Sequence, residues 1–538
     1  MEKAGISQNK KSHGWIIALI IIALIIILPI AFVFIFFFDN SSKELNLKKD
    51  WDNTLSLERI AIDSFDNTKE DKKINFKLDE QDLNELIYKN VGDALKNTQA
   101  EQFIRQAYVT IENDQYIFSI EAQAFGFQTK LSMYTTLSSQ AVEGDTILTF
   151  AINDIQVGRM NNVLSFGRDI LTSFITDQQV ESIFAEAGFN LKVSLSDTKI
   201  TYSVVQLSKD VKSIIIQNFN EGDFYYALMS DIIKYELIGF EFNANKAAEV
   251  FVNLSKLQTN LNYMEENHLE PYNPSDDRDK VVQLVNDGII DTTHAIAVME
   301  YITRGYDYDF LTSSDKEYIK SKDFSSIGIT DNENYKGHIA VDESSVASSI
   351  AGTFDATAFT SPTYQRAAYV SEEVINNVLR GTSALGYTFL LGREVDSSWK
   401  LNFLAVNDLY CNIVDNAMYL VFDVNINGYN ISLIIVTEKD TTYVDGLEIK
   451  LATKNIFLGE CDVSEELENK FISLMADILS SENNWIKLDA NSRVFTIDLT
   501  SSIPSAYSSL LSLCDSKVEF SGENISDNGL MEIYTKLA

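Results

Sequence analysis

Histidine is scarce in this chain: four residues in 538, at His13, His268, His294 and His338. None falls within 72–257 or 368–538, the two stretches that matter most below. Those stretches therefore cannot hold a Ser-His-Asp or Cys-His nucleophile, nor a zinc site with a histidine ligand. Cysteine is equally sparse, with Cys411, Cys461 and Cys514 alone and no CxxC spacing. A disulfide scaffold is excluded, and the three read as small apolar fillers, with a single disulfide as the alternative. Five Pro and 23 Gly rule out collagen-like and Pro-rich architectures. Positive charge is short as well: 43 Lys+Arg against 78 Asp+Glu give a net charge of −35. A phosphate backbone would be repelled by such a surface, so nucleic acid is not an expected partner. No GxSxG, HExxH, P-loop or GxGxxG string occurs, and the expectation is a non-enzymatic protein with no cofactor and no metal.

Apolar residues are present in good supply, 45% of the chain, so a core can be buried. The length suggests about three units of ~150 residues. Trp15 to Phe38 read WIIALIIIALIIILPIAFVFIFFF, an uncharged run of 24 residues. At ~1.5 Å per residue it is long enough for a ~30 Å hydrocarbon core with some tilt. It exceeds the ~7–15 apolar residues of a cleaved signal peptide, and no small-residue cleavage site follows it. Lys3, Lys10 and Lys11 precede the run, and Asp39, Asn40, Ser41 and Ser42 follow it. The positive-inside rule then expects a cytoplasmic tail at 1–14, a membrane helix at 15–38 and an extracellular remainder, beginning with a linker at 39–71. That remainder carries −37 once Glu2 and the three lysines are set aside.

Two stretches look alike, 72–257 (repeat A) and 368–538 (repeat B). Each opens with a short amphipathic helix: DEQDLNELIYKNVGDAL from Asp79, and SEEVINNVLRG from Ser371, with Asn84 and Asn376 at the same place. Alternating strands follow. AYVTIENDQYIFSIEAQAFGFQTKLSMYTT matches LYCNIVDNAMYLVFDVNINGYNISLIIVTE, with Gly126 over Gly428 at a hairpin turn or bulge and Val109 over Cys411. GDTILTFAINDIQVGRMN then matches GLEIKLATKNIFLGECD, with Gly158 over Gly459 before a helical stretch. A hairpin comes next in each copy, FNLKVSLSDTKITYSV and NWIKLDANSRVFTIDL. Each copy ends in what reads as a strand and a closing helix. Between them, 258–367 reads as a spacer with a helix from Asp277 to Thr303 and a shorter one from Ser313 or Ser314. Its last part, Ser325 to Pro362, reads as loop or linker with one strand at most. The expected fold class is α+β: an N-terminal transmembrane helix, then two tandem domains of antiparallel sheet plus helix joined by a partly helical spacer.

Each copy resembles the YpmS-like family, membrane-anchored proteins of low-GC Gram-positive bacteria whose role is not established. The matching stretches are LNELI at Leu83, LTFAINDIQVG ending at Gly158 and LKVSLSDTKITYSV at Leu191. In the second copy they are INNVL at Ile375, IKLATKNIFLG ending at Gly459 and IKLDANSRVFTIDL at Ile486. The family usually has Pro just after the Gly, where this chain has Arg159-Met160 and Glu460-Cys461. The resemblance implies a membrane anchor followed by a helix, paired strands and a last hairpin. It brings no catalytic residues with it.

Function is therefore sought in the apolar layer. If helix and sheet part at one end, a groove for an acyl chain would be lined by Tyr88, Tyr116, Phe118 and Phe127 in the first copy. In the second it would be lined by Met418, Phe422 and Tyr429. If they do not part, these residues are core. The expectation is an exported, membrane-tethered envelope protein that binds a lipid or other apolar ligand. The alternative is an assembly protein holding an envelope partner through an exposed surface.

Overall fold

The computed structural model describes residues 64–538, apart from 88–102, 165–175, 259–274, 305–310, 323–342, 381–385, 481–485, 499–508, 523–527 and some shorter stretches. The Trp15–Phe38 run and Tyr88 lie outside the described residues. Among the described residues no helix is long and apolar enough to cross a membrane. The fold is mixed α+β on antiparallel sheets. It divides into two bodies, one of Asn75–Val252 and one of Ser64–Ile74 with Asn253–Ala538.

In the first body, strand β1 (Lys73–Asp79) runs into a helix α1 at residues 80–85. Its start is a reciprocal cap: Asp82 N–H donates to Asp79 Oδ1 (2.9 Å) and Asp79 N–H to Asp82 Oδ2 (3.1 Å). A meander follows, β2 (Ile104–Glu112), β3 (Gln115–Ala124), β4 (Phe127–Val142) and β5 (Asp145–Val157). After α2 (Asp177–Glu186), the hairpin β6 (Lys192–Ser194) and β7 (Lys199–Ser203) joins the same sheet, in the order β2-β3-β4-β5-β7-β6. Helices α3 (Val204–Asn218) and α4 (Gly222–Lys234) lead to β8 (Ile238–Ala244) and β9 (Ala247–Asn253), which pair back on β1 in the order β1-β9-β8. Strand alternation sends Val109, Ile111 and Tyr116 to one face. There they pack with Leu83 and Ile87 of the opening helical stretch, with Phe118 and Leu137, and with Phe242 and Ala248 of the closing hairpin.

The second body starts with helices α5 (Ser275–Asn286), α6 (Ala295–Arg304), α7 (Ser313–Lys320) and α8 (Glu343–Ala351). Then come β10 (Gln365–Ser371), α9 (Glu372–Arg380), β11 (Gly386–Val395), β12 (Ser398–Val414), β13 (Ala417–Ile426) and β14 (Tyr429–Glu438). Shorter strands follow: β15 (Thr442–Asp445), β16 (Glu448–Ala452), β17 (Asn455–Leu458) and β18 (Cys461–Asp462). The chain closes with α10 (Glu465–Ser480), β19 (Ile486–Asp489), β20 (Val494–Asp498), β21 (Cys514–Ser521) and β22 (Leu530–Leu537). The sheets are β11-β12-β13-β14-β17-β18, β15-β16-β20-β19 and β10-β22-β21. Asn427 (φ +49°) and Gly428 (φ +92°) make the tight turn between β13 and β14, as expected for an Asn-Gly hairpin.

Three expectations need correction. Each copy ends not in a strand and a helix but in a hairpin, β8–β9 or β21–β22, whose last strand pairs with the first, β1 or β10. The helix read over Asp277–Thr303 is two helices, α5 and α6, with Gly288 (φ +70°) in the break. Ser325–Pro362 holds a helix, α8, in the part that is described. The spacer helices pack on the second body. Val281, Leu284, Ile290, Val298, Met299 and Ile302 form one core with Trp399, Leu401, Phe403 and Ala405 of β12.

Candidate functional site

One arrangement recurs in both bodies. In the first, Asn84 Nδ2 donates to Val109 O (2.8 Å) and Val109 N–H donates to Asn84 Oδ1 (2.6 Å). Ile111 N–H donates to Glu80 Oε2 (2.7 Å). In the second, Asn376 Nδ2 donates to Cys411 O (3.0 Å), Cys411 N–H to Asn376 Oδ1 (2.6 Å) and Ile413 N–H to Glu372 Oε2 (2.6 Å). β2 is the edge of its sheet, and β12 lacks a partner on one side beyond Val406, where β11 stops. The helix side chains thus stand in for a missing strand and satisfy an open edge. The opening-helix asparagines were legible in the sequence; their partners, 25 and 35 residues on, were not.

The two clamps differ in setting. Glu372 is buried, and loss of hydration pushes its carboxyl up to about 7, against the opposing pull of backbone N–H groups. The Cys411 thiol beside it is wholly buried and driven well above its ordinary value by burial, then by the Glu372 charge. Such a thiol is chemically quiet. Cys461 is buried too and Cys514 half-buried, and none of the three is in a disulfide.

The proposed groove residues that are described lie in the interior. Tyr116 is 1% exposed; its Oη donates to Ala247 O (2.8 Å) and accepts from Asn243 N–H (2.9 Å), tying β3 to the closing hairpin. Phe118 is half-buried in the same cluster. Met418, Phe422 and Tyr429 are buried, and Tyr429 Oη approaches Leu254 O at 3.5 Å. The backbone of Phe127 begins β4, while its side chain lies outside the described residues, as does Tyr88.

Sequence reasoning missed a carboxylate pair. Asp408 on β12 faces Asp423 on β13, and Ser432 Oγ on β14 donates to Asp423 Oδ1 (2.6 Å). Burial, and then the Asp408 charge, push Asp423 up to about 6 despite that bond. The signal was present: the two-residue turn Asp415–Asn416 fixes the register that sets them opposite. The His294 ring stacks on Tyr318 (centroids 3.8 Å apart) and its Nδ1 meets Asp291 Oδ1 at 2.7 Å, with Thr293 Oγ1 on the same oxygen (2.6 Å). This fixes the start of α6 against α7. Among the described residues no three His, Cys, Asp or Glu come together as metal ligands would.

A concave surface lies elsewhere, at a break in the second body. In the first body β4 and β5 are long, at 16 and 13 residues. In the second, the matching chain is cut by a 3-10 turn, Lys439–Thr441, so that β14–β17 and β15–β16 fall in separate sheets. Leu137, partly buried against the core of the first body, aligns in sequence with Lys439 of the second. A pocket of about 630 Å³ opens at this break, lined by Asp415, Asn416, Glu438, Lys439, Asp440, Thr442 and Lys517, with Ala417 and Val518. Lys439 and Lys517 share Glu519, the latter at 2.6 Å, and Lys454 pairs with Glu438. None of the expected groove residues lines this pocket.

No family model matches the chain, and no curated protein matches it.

Proposed function

We propose that this chain is a non-enzymatic envelope protein, tethered by residues 15–38, whose exported part consists of two copies of one YpmS-like fold and serves to bind. The observation that carries the duplication is the matched clamp: four equivalent residues making the same hydrogen bonds in the same order in each body. Two identical edge clamps with different residues around them are what duplication followed by divergence leaves. The divergence supports a binding role for the second copy, because there a continuous strand pair has become a charged pocket of small-molecule size.

A lipid held between helix and sheet is the second reading, favoured by the large apolar side chains Tyr116, Phe118, Met418 and Phe422 on inner sheet faces. Solvent extraction of the purified full-length protein separates the two. Near-stoichiometric lipid supports the acyl ligand, and a clean extract supports the polar pocket. Protease added to intact cells tests the tether. Digestion of residues beyond 64 with retention of a membrane-bound stub is expected; full protection, or release of the whole chain into the soluble fraction, overturns it.

A further inference from the structure

We propose that the pocket at the Lys439–Thr441 break takes a zwitterionic group, a primary ammonium joined to a phosphate or carboxylate. This rests on the second copy being a binding module and specifies its ligand.

The charges around the pocket fall into two sets. On one side, the Lys439 and Lys517 ammonium groups share a single carboxylate, Glu519. Two cations against one anion leave positive charge over, and both lysines remain partly open to solvent at 39% and 44% side-chain exposure. Lys517 is held in place as well as charged, since its Nζ lies 4.9 Å from the Tyr364 ring centre and 5.6 Å from that of Tyr534. On the other side are Asp415 and Asp440. Both are exposed, and neither has a Lys or Arg nitrogen within 4 Å among the described residues, with Lys454 acting on Asp440 from farther off. Glu438 is already occupied by Lys454. Asp415 is pinned by its backbone: its N–H donates to Gly522 O (3.0 Å), and Gly522 N–H approaches its Oδ1 at 3.4 Å. Asn416 O accepts from Lys439 N–H (2.8 Å), so the hairpin turn bearing Asp415 is tied to the break bearing Lys439 and Asp440.

A lone anion would meet the exposed carboxylates of Asp415 and Asp440, and a lone cation would meet the surplus on the lysines. A molecule carrying both charges satisfies both sets, with charge-assisted hydrogen bonds at each end. The first copy cannot do this, because its unbroken strands place the apolar Leu137 at the Lys439 position. In a chain of net charge −35, a free anion also has no general attraction to the surface, so the ammonium end matters for capture.

The test is titration calorimetry on the full chain in non-ionic detergent. The probes are phosphoethanolamine, glycine, ethanolamine and inorganic phosphate, with vesicles of phosphatidylethanolamine or phosphatidylcholine in parallel. The expected result is saturable binding of phosphoethanolamine or glycine, at least ~10-fold tighter than ethanolamine or phosphate alone. Asp440→Asn and Lys517→Met are each expected to weaken it ~10-fold or more, the scale of one lost charged contact. Unchanged Trp emission would show that each variant is folded. Capture of phosphatidylethanolamine vesicles without binding of the soluble compounds assigns a lipid source, and binding of the soluble compounds a free one. Phosphate or ethanolamine binding as well as the zwitterion, indifference to both substitutions, or no heat from any probe overturns the assignment. The tether and the duplication are read by protease accessibility and by the clamp, and survive that failure.

Discussion

The Asn376 side chain holds the backbone of Cys411 by both of its polar groups, Nδ2 to O at 3.0 Å and Oδ1 from N–H at 2.6 Å. An amide side chain has the donor and acceptor of a peptide group, so it can replace a neighbouring strand for one residue. Cutting Asn376 back to Ala removes both bonds and leaves the Cys411 N–H and C=O buried with no partner. The expected cost is ~2–6 kcal/mol, from two buried groups at ~1–3 kcal/mol each. Asn84→Ala should weaken the first body in the same way. All four tryptophans (Trp15, Trp51, Trp399 and Trp485) lie outside 75–252. Urea unfolding followed by Trp emission should therefore shift for Asn376→Ala and stay in place for Asn84→Ala, whose effect should appear in far-UV dichroism.

Glu372 gives the second body a pH dependence of unusual sign. Its carboxyl is raised to about 7 in the folded chain. Between its ordinary value near ~4.5 and that point, the folded state keeps a proton that the unfolded state has lost. Stability is therefore greatest at the acid end of this window and falls as pH rises through it. Asp423, raised to about 6, acts in the same direction over the lower part. Urea midpoints at pH 5, 6 and 7.5 should decline in that order for the native chain. The decline should be markedly shallower in Glu372→Gln, which keeps the shape and cannot ionise.

Gly459 tolerates no side chain. It has φ +59°, and a Cβ there would sit 2.3 Å from the backbone of Leu257. Gly459→Ala combines left-handed strain with a backbone collision and should cost at least ~2–3 kcal/mol or prevent folding. Gly188 also has positive φ (+92°) but has nothing within 4 Å of a Cβ. Gly188→Ala should cost only the strain, ~1 kcal/mol. Paired thermal melts of the two variants check the contrast.

The thiols should react in two classes. Cys411 is fully buried and Cys461 is 4% exposed, whereas Cys514 is half-buried near the C-terminal hairpin. A soluble thiol reagent should modify one group in the native protein and three after denaturation, with Cys514 identified as the fast site by peptide mapping. Rapid labelling of Cys411 would mean that the α9 clamp opens readily.

Strands and turns were legible where the signal is local. Alternation in 107–136 and 409–438 gave the meander, and Gly428 marked a turn or bulge between its strands, because both depend on near neighbours. The closing hairpins were misread for the opposite reason. Ala247–Asn253 and Leu530–Leu537 are held by β1 and β10, more than 150 residues earlier in the chain, and nothing in their own spacing records that pairing. The pocket was hidden in the same way. Lys439 in place of Leu137 is visible in the aligned copies, but the separation of two sheets at that point follows from strand pairings far apart in sequence. Side chains such as Tyr116 show the limit of periodicity, which finds the inward face and cannot say whether anything enters it.

The threading of the two bodies has a mechanical consequence. Residues 64–74 belong with 253–538, so the first body is looped out of the second. Asn427 Nδ2 donates to Phe65 O (2.8 Å), and Leu254 N–H donates to Lys72 O (2.9 Å), fastening the strand of chain that enters and the one that leaves. During synthesis the looped-out body can mature as soon as residue 252 has emerged, while its host must wait for Asn427. Tension arriving from the amino-terminal side would load the host first, at the Phe65 fastening, and leave the looped-out body slack.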